Sequence, residues 1–222
     1  MSGVRIVIFA KAPLPGVVKT RLIPTLGAEG AAQLARRMLE HTVAQAQAAA
    51  VGPVELCVTP SGDAAPWQSL SLSRNVAWSD QGEGDLGERM GRAVQRVTAM
   101  GESILLIGTD CPELGAVHLR HAAASLQRSD ATMIPTADGG YVLIGLNQYH
   151  ASLFENIAWS TNGVARETLR RFQQLNWTVQ DNVRLHDIDE PADLEWLPAG
   201  WLDPAPQHGQ ARRPPCADHE NH

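Results

Sequence analysis

Short apolar runs alternate along the chain with longer segments in which apolar residues recur every three or four positions. The runs are typical of buried strands, and the recurring pattern is typical of amphipathic helices. The predicted strands are 4–10, 54–59, 75–79, 103–107, 131–135 and 141–146, with a further extended segment at 177–185. The predicted helices are 27–50, 86–100, 117–127 and 163–174, followed by a short terminal helix at 192–197.

This alternation predicts an α/β fold with three layers, in which helices cover both faces of a mostly parallel sheet. Asp138-Gly139-Gly140 separates the fifth and sixth strands and is typical of a hairpin, so we expect a mixed sheet. Ligands of such sheets bind beyond the carboxyl ends of the strands. The loops after strands one, three and four are therefore the places where we expect a site.

Length and composition predict a single domain over residues 1–202. Residues 203–222 are rich in Pro, Gln, His, Arg and Asp without periodicity, and we expect a disordered tail.

No stretch approaches 18 apolar residues, which argues against a membrane span. The formal net charge of −6, without a long basic stripe, argues against a nucleic-acid partner. Three cysteines without metal-ligand spacing and the lack of a signal peptide predict a cytoplasmic protein.

The loop after the first strand carries the clearest binding signal. Lys11, Lys19 and Arg21 lie inside one Pro/Gly-rich stretch of eleven residues, in an otherwise acidic chain. Backbone N–H groups of such a loop, from Ala10 to Gly16, face phosphate oxygens, and the three cations neutralise them. The alternative is a plain connection with solvated charges.

Two standard phosphate-binding loops are excluded by this sequence. A Walker A loop requires a glycine before Lys19-Thr20, where this chain has Val18. The dinucleotide-binding G-x-G-x-x-G pattern is also missing from the first fifty residues.

Carboxylates follow two of the predicted strands. Asp110 comes directly after 103–107, and Asp187 and Asp189 share one face of the extended segment that ends near them. Carboxylate oxygens suit Mg²⁺, which often takes only one or two ligands from protein. The alternatives are that Asp110 caps the next helix, and that Asp189 or Asp193 stabilises the N-terminus of the terminal helix.

Two further loops offer candidate contacts. Asp138 either stabilises the turn in which it lies or provides a carboxylate at the mouth of the cleft, near an acceptor molecule. Asp85 and Glu88 resemble a capping box, which does not account for Gln81 and Gly84 in the same glycine-rich loop. These two residues fit the close approach of a planar base.

Five ordered motifs make the chain resemble a bacterial family of GT-A-fold transferases. This family is associated with arsenosugar biosynthesis and is similar to the molybdenum-cofactor and phospholactate guanylyltransferases. The motifs are Phe9-Ala10-Lys11 with Pro15-Gly16-Val17-Val18-Lys19-Thr20-Arg21-Leu22, Gly84-Asp85-Leu86-Gly87-Glu88-Arg89-Met90, Gly108-Thr109-Asp110-Cys111-Pro112, Asp138-Gly139-Gly140-Tyr141 to Leu146, and Asp187-Ile188-Asp189 with Asp193-Leu194.

The resemblance spans about residues 3–198 and implies roles for single residues. It implies phosphate contacts for Lys11, Lys19 and Arg21, and base recognition for Gln81. It also implies metal binding by Asp110 and Asp189. The first loop departs from the nucleotidyltransferases, which usually have a G-G pair where this chain has the single Gly16.

These observations predict a Mg²⁺- or Mn²⁺-dependent transferase that takes a nucleoside diphosphate sugar and a small-molecule acceptor. Asp110, Asp138 and Lys19 are the candidate catalytic residues, and Asp187 joins Asp110 and Asp189 as a candidate metal ligand. One alternative is a nucleotidyltransferase that transfers a nucleoside monophosphate from a triphosphate and releases pyrophosphate. Another is a nucleotide-binding module without catalysis. The sugar, the base and the oligomeric state are left open.

Overall fold

The computed structural model describes residues 3–68, 70, 72, 75–180 and 183–202. The strands are β1 (Val4–Lys11), β2 (Val54–Thr59), β3 (Ala77–Asp80), β4 (Ser103–Ile107), β5 (Ala131–Pro135), β6 (Tyr141–Leu146) and β7 (Val179–Gln180). The α-helices are α1 (Ile23–Ala49), α2 (Ala65–Gln68), α3 (Leu86–Ala99), α4 (Ala116–Ser125) and α5 (Val164–Gln174). Short 3-10 helices span Thr20–Leu22, Ala151–Leu153 and Pro191–Trp196.

The strands form one mixed sheet in the order β3-β2-β1-β4-β6-β5-β7. Strands β1 to β4 are parallel to one another, and β7 is parallel to β5. Strand β6 runs antiparallel to both β4 and β5, which confirms the predicted hairpin. The carboxyl ends of β1 to β5 therefore meet at one edge of the sheet, together with the amino end of β6.

Helices cover both faces of the sheet, as the sequence predicts. On one face Leu39 of α1 and Leu119 of α4 lie in a cluster with Ile6 and Ile8 of β1. On the opposite face Met90 and Val94 of α3 and Phe172 of α5 lie in a cluster with Val7. The alternation along β1 places neighbouring side chains in different layers, and this burial on both faces explains the continuous apolar runs of the central strands.

The element bounds differ from prediction where the local pattern is weak. Helix α1 begins at Ile23, four residues before the predicted start, and Gly27, with φ 71° and ψ 166°, interrupts its helical geometry. The extended segment 177–185 contains only the two-residue β7 and a single parallel pairing of Thr136 with Leu185, and residues 181–182 lie outside the described ranges. The terminal helix is a 3-10 helix, and the four-residue α2 is too short for a periodic signal.

The predicted disordered tail, residues 203–222, falls outside the described part of the chain. Within the described residues no helix is long and apolar enough to cross a membrane.

Candidate active site

The loop between β1 and the first 3-10 helix aims Lys19 at the carboxyl edge of the sheet. Lys19 has φ 48° and ψ 41°, a left-handed conformation that costs a non-glycine residue about 1–2 kcal/mol. The chain is anchored immediately afterwards by Leu22, which is fully buried in a cluster with Met38 of α1 and Ile188. Strained backbone of this kind is concentrated at functional sites.

Lys19 bridges two carboxylates that are far apart in sequence. Its Nζ lies 2.7 Å from Asp110 Oδ1 and 2.6 Å from Asp189 Oδ1. The lysine side chain is 6% exposed, while those of Asp110 and Asp189 are 49% and 42% exposed. Burial acts to lower the pKa of Lys19, but the charges and hydrogen bonds of the two carboxylates outweigh it and raise the pKa.

The two acids are held together by backbone as well as by the lysine. Ile188 N–H donates to the carbonyl of Asp110 at 2.8 Å, and the Ile188 side chain is fully buried. Asp110 does not cap α4, because that helix begins at Ala116 after Gly115, so the capping alternative is wrong for Asp110. Asp193 accepts the backbone N–H groups of Asp189 and Glu190, while the carboxylate of Asp189 contacts Lys19.

Asp138 and Asp187 bring further negative charge to the same edge. Burial, followed by the charges of Asp138, Asp189 and Asp110, raises the pKa of Asp187 to about 6. Asp138 Oδ1 accepts hydrogen bonds from Thr136 Oγ1 at 2.6 Å and from Gly140 N–H at 2.8 Å. Asp138 therefore does serve its turn, and it also lines the same cavity as Asp187.

Gln81 is buried at the end of β3. Its carboxamide nitrogen donates to the carbonyls of Ala10 at 3.0 Å and Cys57 at 3.1 Å. These two acceptors fix the orientation of the amide and leave its oxygen as the group that can accept a hydrogen bond from a ligand. The adjacent loop is stabilised by the predicted capping box of Asp85 and Glu88.

A cavity of about 740 Å³ joins these elements. Its polar lining includes Lys11, Lys19, Arg21, Gln81, Asp110, Asp138, Asp187 and Asp189. Lys11 and Arg21 are exposed; Lys11 donates to the Val17 carbonyl at 3.2 Å, and Arg21 lies 3.4 Å from Glu190. Ala10 also lines the cavity, whereas Gly16 and Gly84 lie outside its lining.

The sequence did not single out the apolar side of this cavity. Phe9, Leu86, Met90, Tyr141 and Trp159 line it next to α3. The hydroxyl of Tyr141 is buried without a hydrogen-bond partner among the described residues, and burial raises its pKa. These are ordinary core residue types, and only the position of Tyr141 directly after Asp138-Gly139-Gly140 could have indicated its place.

The donor set fits a hard divalent cation. Asp110 and Asp189 present two carboxylate oxygens to one point, as their contacts with Lys19 show. Mg²⁺ is typically bound by one or two carboxylates together with water and substrate phosphates. Across the described ranges no group of three or more His, Cys, Asp or Glu side chains is arranged to hold a metal ion, so Asp187 as a third ligand stays a prediction.

Comparison with known proteins places the chain in context. Residues 42–161 match the model of a family described as an uncharacterised protein conserved in bacteria (DUF2064). A search of the curated proteins finds no match.

Among solved structures, one from Desulfovibrio desulfuricans G20, provisionally described as a nucleotide-diphospho-sugar transferase, is 30% identical with a TM-score of 0.80, and the match covers 87% of this chain and 85% of that one. A nucleotidyl transferase from Methanothermobacter thermautotroptrophicus is 18% identical with a TM-score of 0.60, covering 88% and 96%. A cytidylyltransferase from Leptospira borgpetersenii is 15% identical with a TM-score of 0.57, covering 88% and 84%. The last two support the fold alone, which agrees with the predicted α/β class.

Proposed function

The chain belongs to the bacterial family DUF2064, and from that premise we propose that it is a transferase with a nucleoside diphosphate sugar as donor and a small molecule as acceptor. The observation that carries this proposal is the meeting of Asp110, Asp189 and Lys19 at the rim of one large cavity. Its volume of about 740 Å³ lies in the usual range of small-molecule sites.

Charge is arranged in this cavity as a diphosphate donor requires. Lys11 and Arg21 are exposed cations at its border and are available to phosphate oxygens. Fixed cations stabilise the negative charge that develops on a diphosphate leaving group. A divalent metal held by Asp110 and Asp189 would supply Lewis-acid stabilisation of the same charge.

The remaining residues would position the two substrates. The carboxamide oxygen of Gln81 would accept a hydrogen bond from the base, because the amide nitrogen already donates to two backbone carbonyls. Asp138 lies on the opposite side of the site, in the turn before β6, where we assign it a contact with the acceptor. The relative from Desulfovibrio desulfuricans, at 30% identity, supports a nucleotide-sugar donor through its description.

The second candidate is a nucleotidyltransferase that releases pyrophosphate. The nucleotidyl and cytidylyl transferases that share the fold favour it. The single Gly16 of the first loop favours the nucleotide-sugar reaction instead, because the loops that bind a triphosphate usually contain more glycine.

Product analysis separates these candidates. The full chain is first screened by thermal shift against UDP-, GDP- and CDP-sugars and against CTP, GTP and UTP, each with Mg²⁺, since a ligand of the folded state raises its apparent stability. Phosphorus NMR then follows turnover of the ligands that bind. Release of nucleoside diphosphate supports the proposal, and release of pyrophosphate supports the second candidate. Binding without turnover under any condition contradicts both and favours a non-catalytic binding module.

Substitution of Asp110 tests the residue assignment. Asp110→Asn removes a charge that contacts Lys19 and that the proposed metal would require, and we expect turnover to fall at least about 100-fold. Glu29→Gln, which removes one exposed carboxylate on α1, is the control and should leave turnover unchanged. Full activity in Asp110→Asn would refute the assignment.

A further inference from the structure

The ammonium group of Lys19 lies where a metal shared by Asp110 and Asp189 would have to bind. Both carboxylate oxygens are within 2.7 Å of Nζ. A magnesium ion lies about 2.0–2.1 Å from its oxygen ligands, so small rotations of the two aspartates would close around an ion at the same point. The lysine and the ion cannot both occupy it.

Lys19 is built into this position. Its side chain is 6% exposed and its backbone is left-handed, so the loop directs the ammonium inward. A buried ammonium that loses these two charged partners is strongly destabilised, so the lysine leaves the aspartates only for another anion.

Such an anion would come from the bound nucleotide. Lys19 lines the same cavity as the exposed Lys11 and Arg21, where the phosphates are expected to bind. A phosphate group offers the ammonium new negative partners while it adds oxygen ligands for the metal.

From these contacts we propose that Lys19 and the divalent metal compete for Asp110 and Asp189. A nucleotide phosphate frees the two aspartates for the metal by forming an ion pair with the lysine. Metal then binds together with nucleotide rather than before it. Lys19 thereby acts as a positioning residue that sets the order of binding. The proposal rests on the proposed function for the identity of the anion, but the competition itself does not depend on it.

Binding of Mn²⁺ without any nucleotide is the decisive measurement. The free-ion signal in electron paramagnetic resonance gives the affinity for wild type, for Lys19→Met and for Arg170→Met, which removes one exposed cation on α5. We expect Lys19→Met to bind Mn²⁺ at least about tenfold more tightly than wild type, and Arg170→Met to match wild type. A phosphate-binding or purely structural lysine predicts equal or weaker metal binding in Lys19→Met, and that result would overturn the proposal.

A second arm measures the coupling between the two ligands. The nucleotide that gives the largest thermal shift is added, and its effect on Mn²⁺ affinity is compared between wild type and Lys19→Met. We expect a smaller gain in the variant, because no lysine has to be displaced, while the ligands that the phosphate itself supplies are the same in both. Equal gains would contradict the role assigned to the phosphate.

The two arms separate the competition from the proposed function. Tighter Mn²⁺ binding by Lys19→Met together with no nucleotide binding by wild type would support the competition and refute the proposed function. Thermal unfolding checks that the variant is folded. If Lys19→Met does not fold, Lys19→Gln provides the same comparison, because its amide donates to one carboxylate and carries no charge.

Discussion

Gln81 shows how a single buried side chain can serve the fold and the site at once. Its amide nitrogen joins the carbonyls of Ala10 on β1 and Cys57 on β2, while its backbone N–H donates to Val58. The end of β3 is thereby fixed to two neighbouring strands. Because the amide nitrogen already donates twice, the side chain can only accept a hydrogen bond from a ligand in the cavity that it lines, so a ligand must offer a donor at this point.

Replacement of Gln81 with methionine should destabilise the protein as well as weaken ligand binding. Gln81→Met leaves the Ala10 and Cys57 carbonyls without this donor, and we expect the free energy of unfolding to fall by about 1–3 kcal/mol in urea titrations. The exposed substitution Gln95→Met on α3 should change it by less than about 0.5 kcal/mol. If Gln81→Met is as stable as this control, the two hydrogen bonds do not support the fold.

Single residues were predictable where charge or strand position marked them. Lys19, Asp110 and Asp189 stand out in the sequence because each follows or approaches a strand end, and the structure joins them by direct ion pairs. Tyr141 and Trp159 were not predictable as cavity residues, since an aromatic side chain in a core pattern gives no sign of facing a cleft.

At the level of elements, the hairpin between β5 and β6 positions Asp138. Gly139 has φ 93°, and its carbonyl accepts from Ala165 N–H at 2.9 Å at the start of α5. A Cβ atom at Gly139 would lie 2.8 Å from the Cα of Asn162 and still closer to the carbonyl group of that residue. The hairpin and the loop before α5 are thus packed backbone to backbone, which only glycine permits.

Gly139→Ala should therefore lower the free energy of unfolding by more than the penalty for a left-handed backbone alone. Gly101 at the end of α3 has φ 76° and open space around its Cβ position, so Gly101→Ala carries only the backbone penalty of about 1–2 kcal/mol. We expect Gly139→Ala to lose about 1–3 kcal/mol more, from forced separation of the two loops. Chemical denaturation of both variants measures the difference. Equal losses in the free energy of unfolding would show that the two loops separate without cost.

Elements were predictable in proportion to their periodicity. The hairpin turn and the four long helices follow from turn residues and helical spacing, whereas β7 is only two residues long and takes its place by pairing with β5. Such pairing depends on distant residues, so the sequence did not show which of the described residues in 177–180 and 183–185 would pair in the sheet.

At the scale of the whole molecule, strand order decides which loops meet. Strands β1 and β4 are neighbours although more than ninety residues separate their starts, which brings the loops with Lys19 and Asp110 side by side. The parallel sheet could be inferred from alternating elements, but its order could not, because the apolar pattern of β4 is equally compatible with other neighbours. The convergence of the site was therefore an expectation that only the three-dimensional arrangement could test.

The same sheet contains a buried ionic network away from the site. The side chain of Glu55 on β2 is 4% exposed and contacts Arg96 of α3, Ser79 Oγ at 2.6 Å and Arg5 at 3.7 Å. Burial acts to raise the pKa of Glu55, but the hydrogen bonds from Arg96 and Ser79 outweigh it and hold the pKa below its ordinary value of 4.5. The network joins β1, β2, β3 and α3 into one unit.

This lowered pKa predicts how stability depends on pH. The folded state binds the Glu55 proton less readily than the unfolded state, so its contribution is complete above the ordinary value of 4.5 and is lost as pH falls through the folded pKa. Glu55→Gln should lower the free energy of unfolding by about 1.5–3 kcal/mol at pH 7, and the gap to wild type should narrow below pH 4.5. Glu40→Gln breaks a solvent-accessible ion pair with Arg36 on α1 and should lower the free energy of unfolding by less than about 1 kcal/mol. Urea titrations from pH 3 to 7 measure both variants, and a gap that stays constant with pH would show that the charge of Glu55 does not stabilise the sheet.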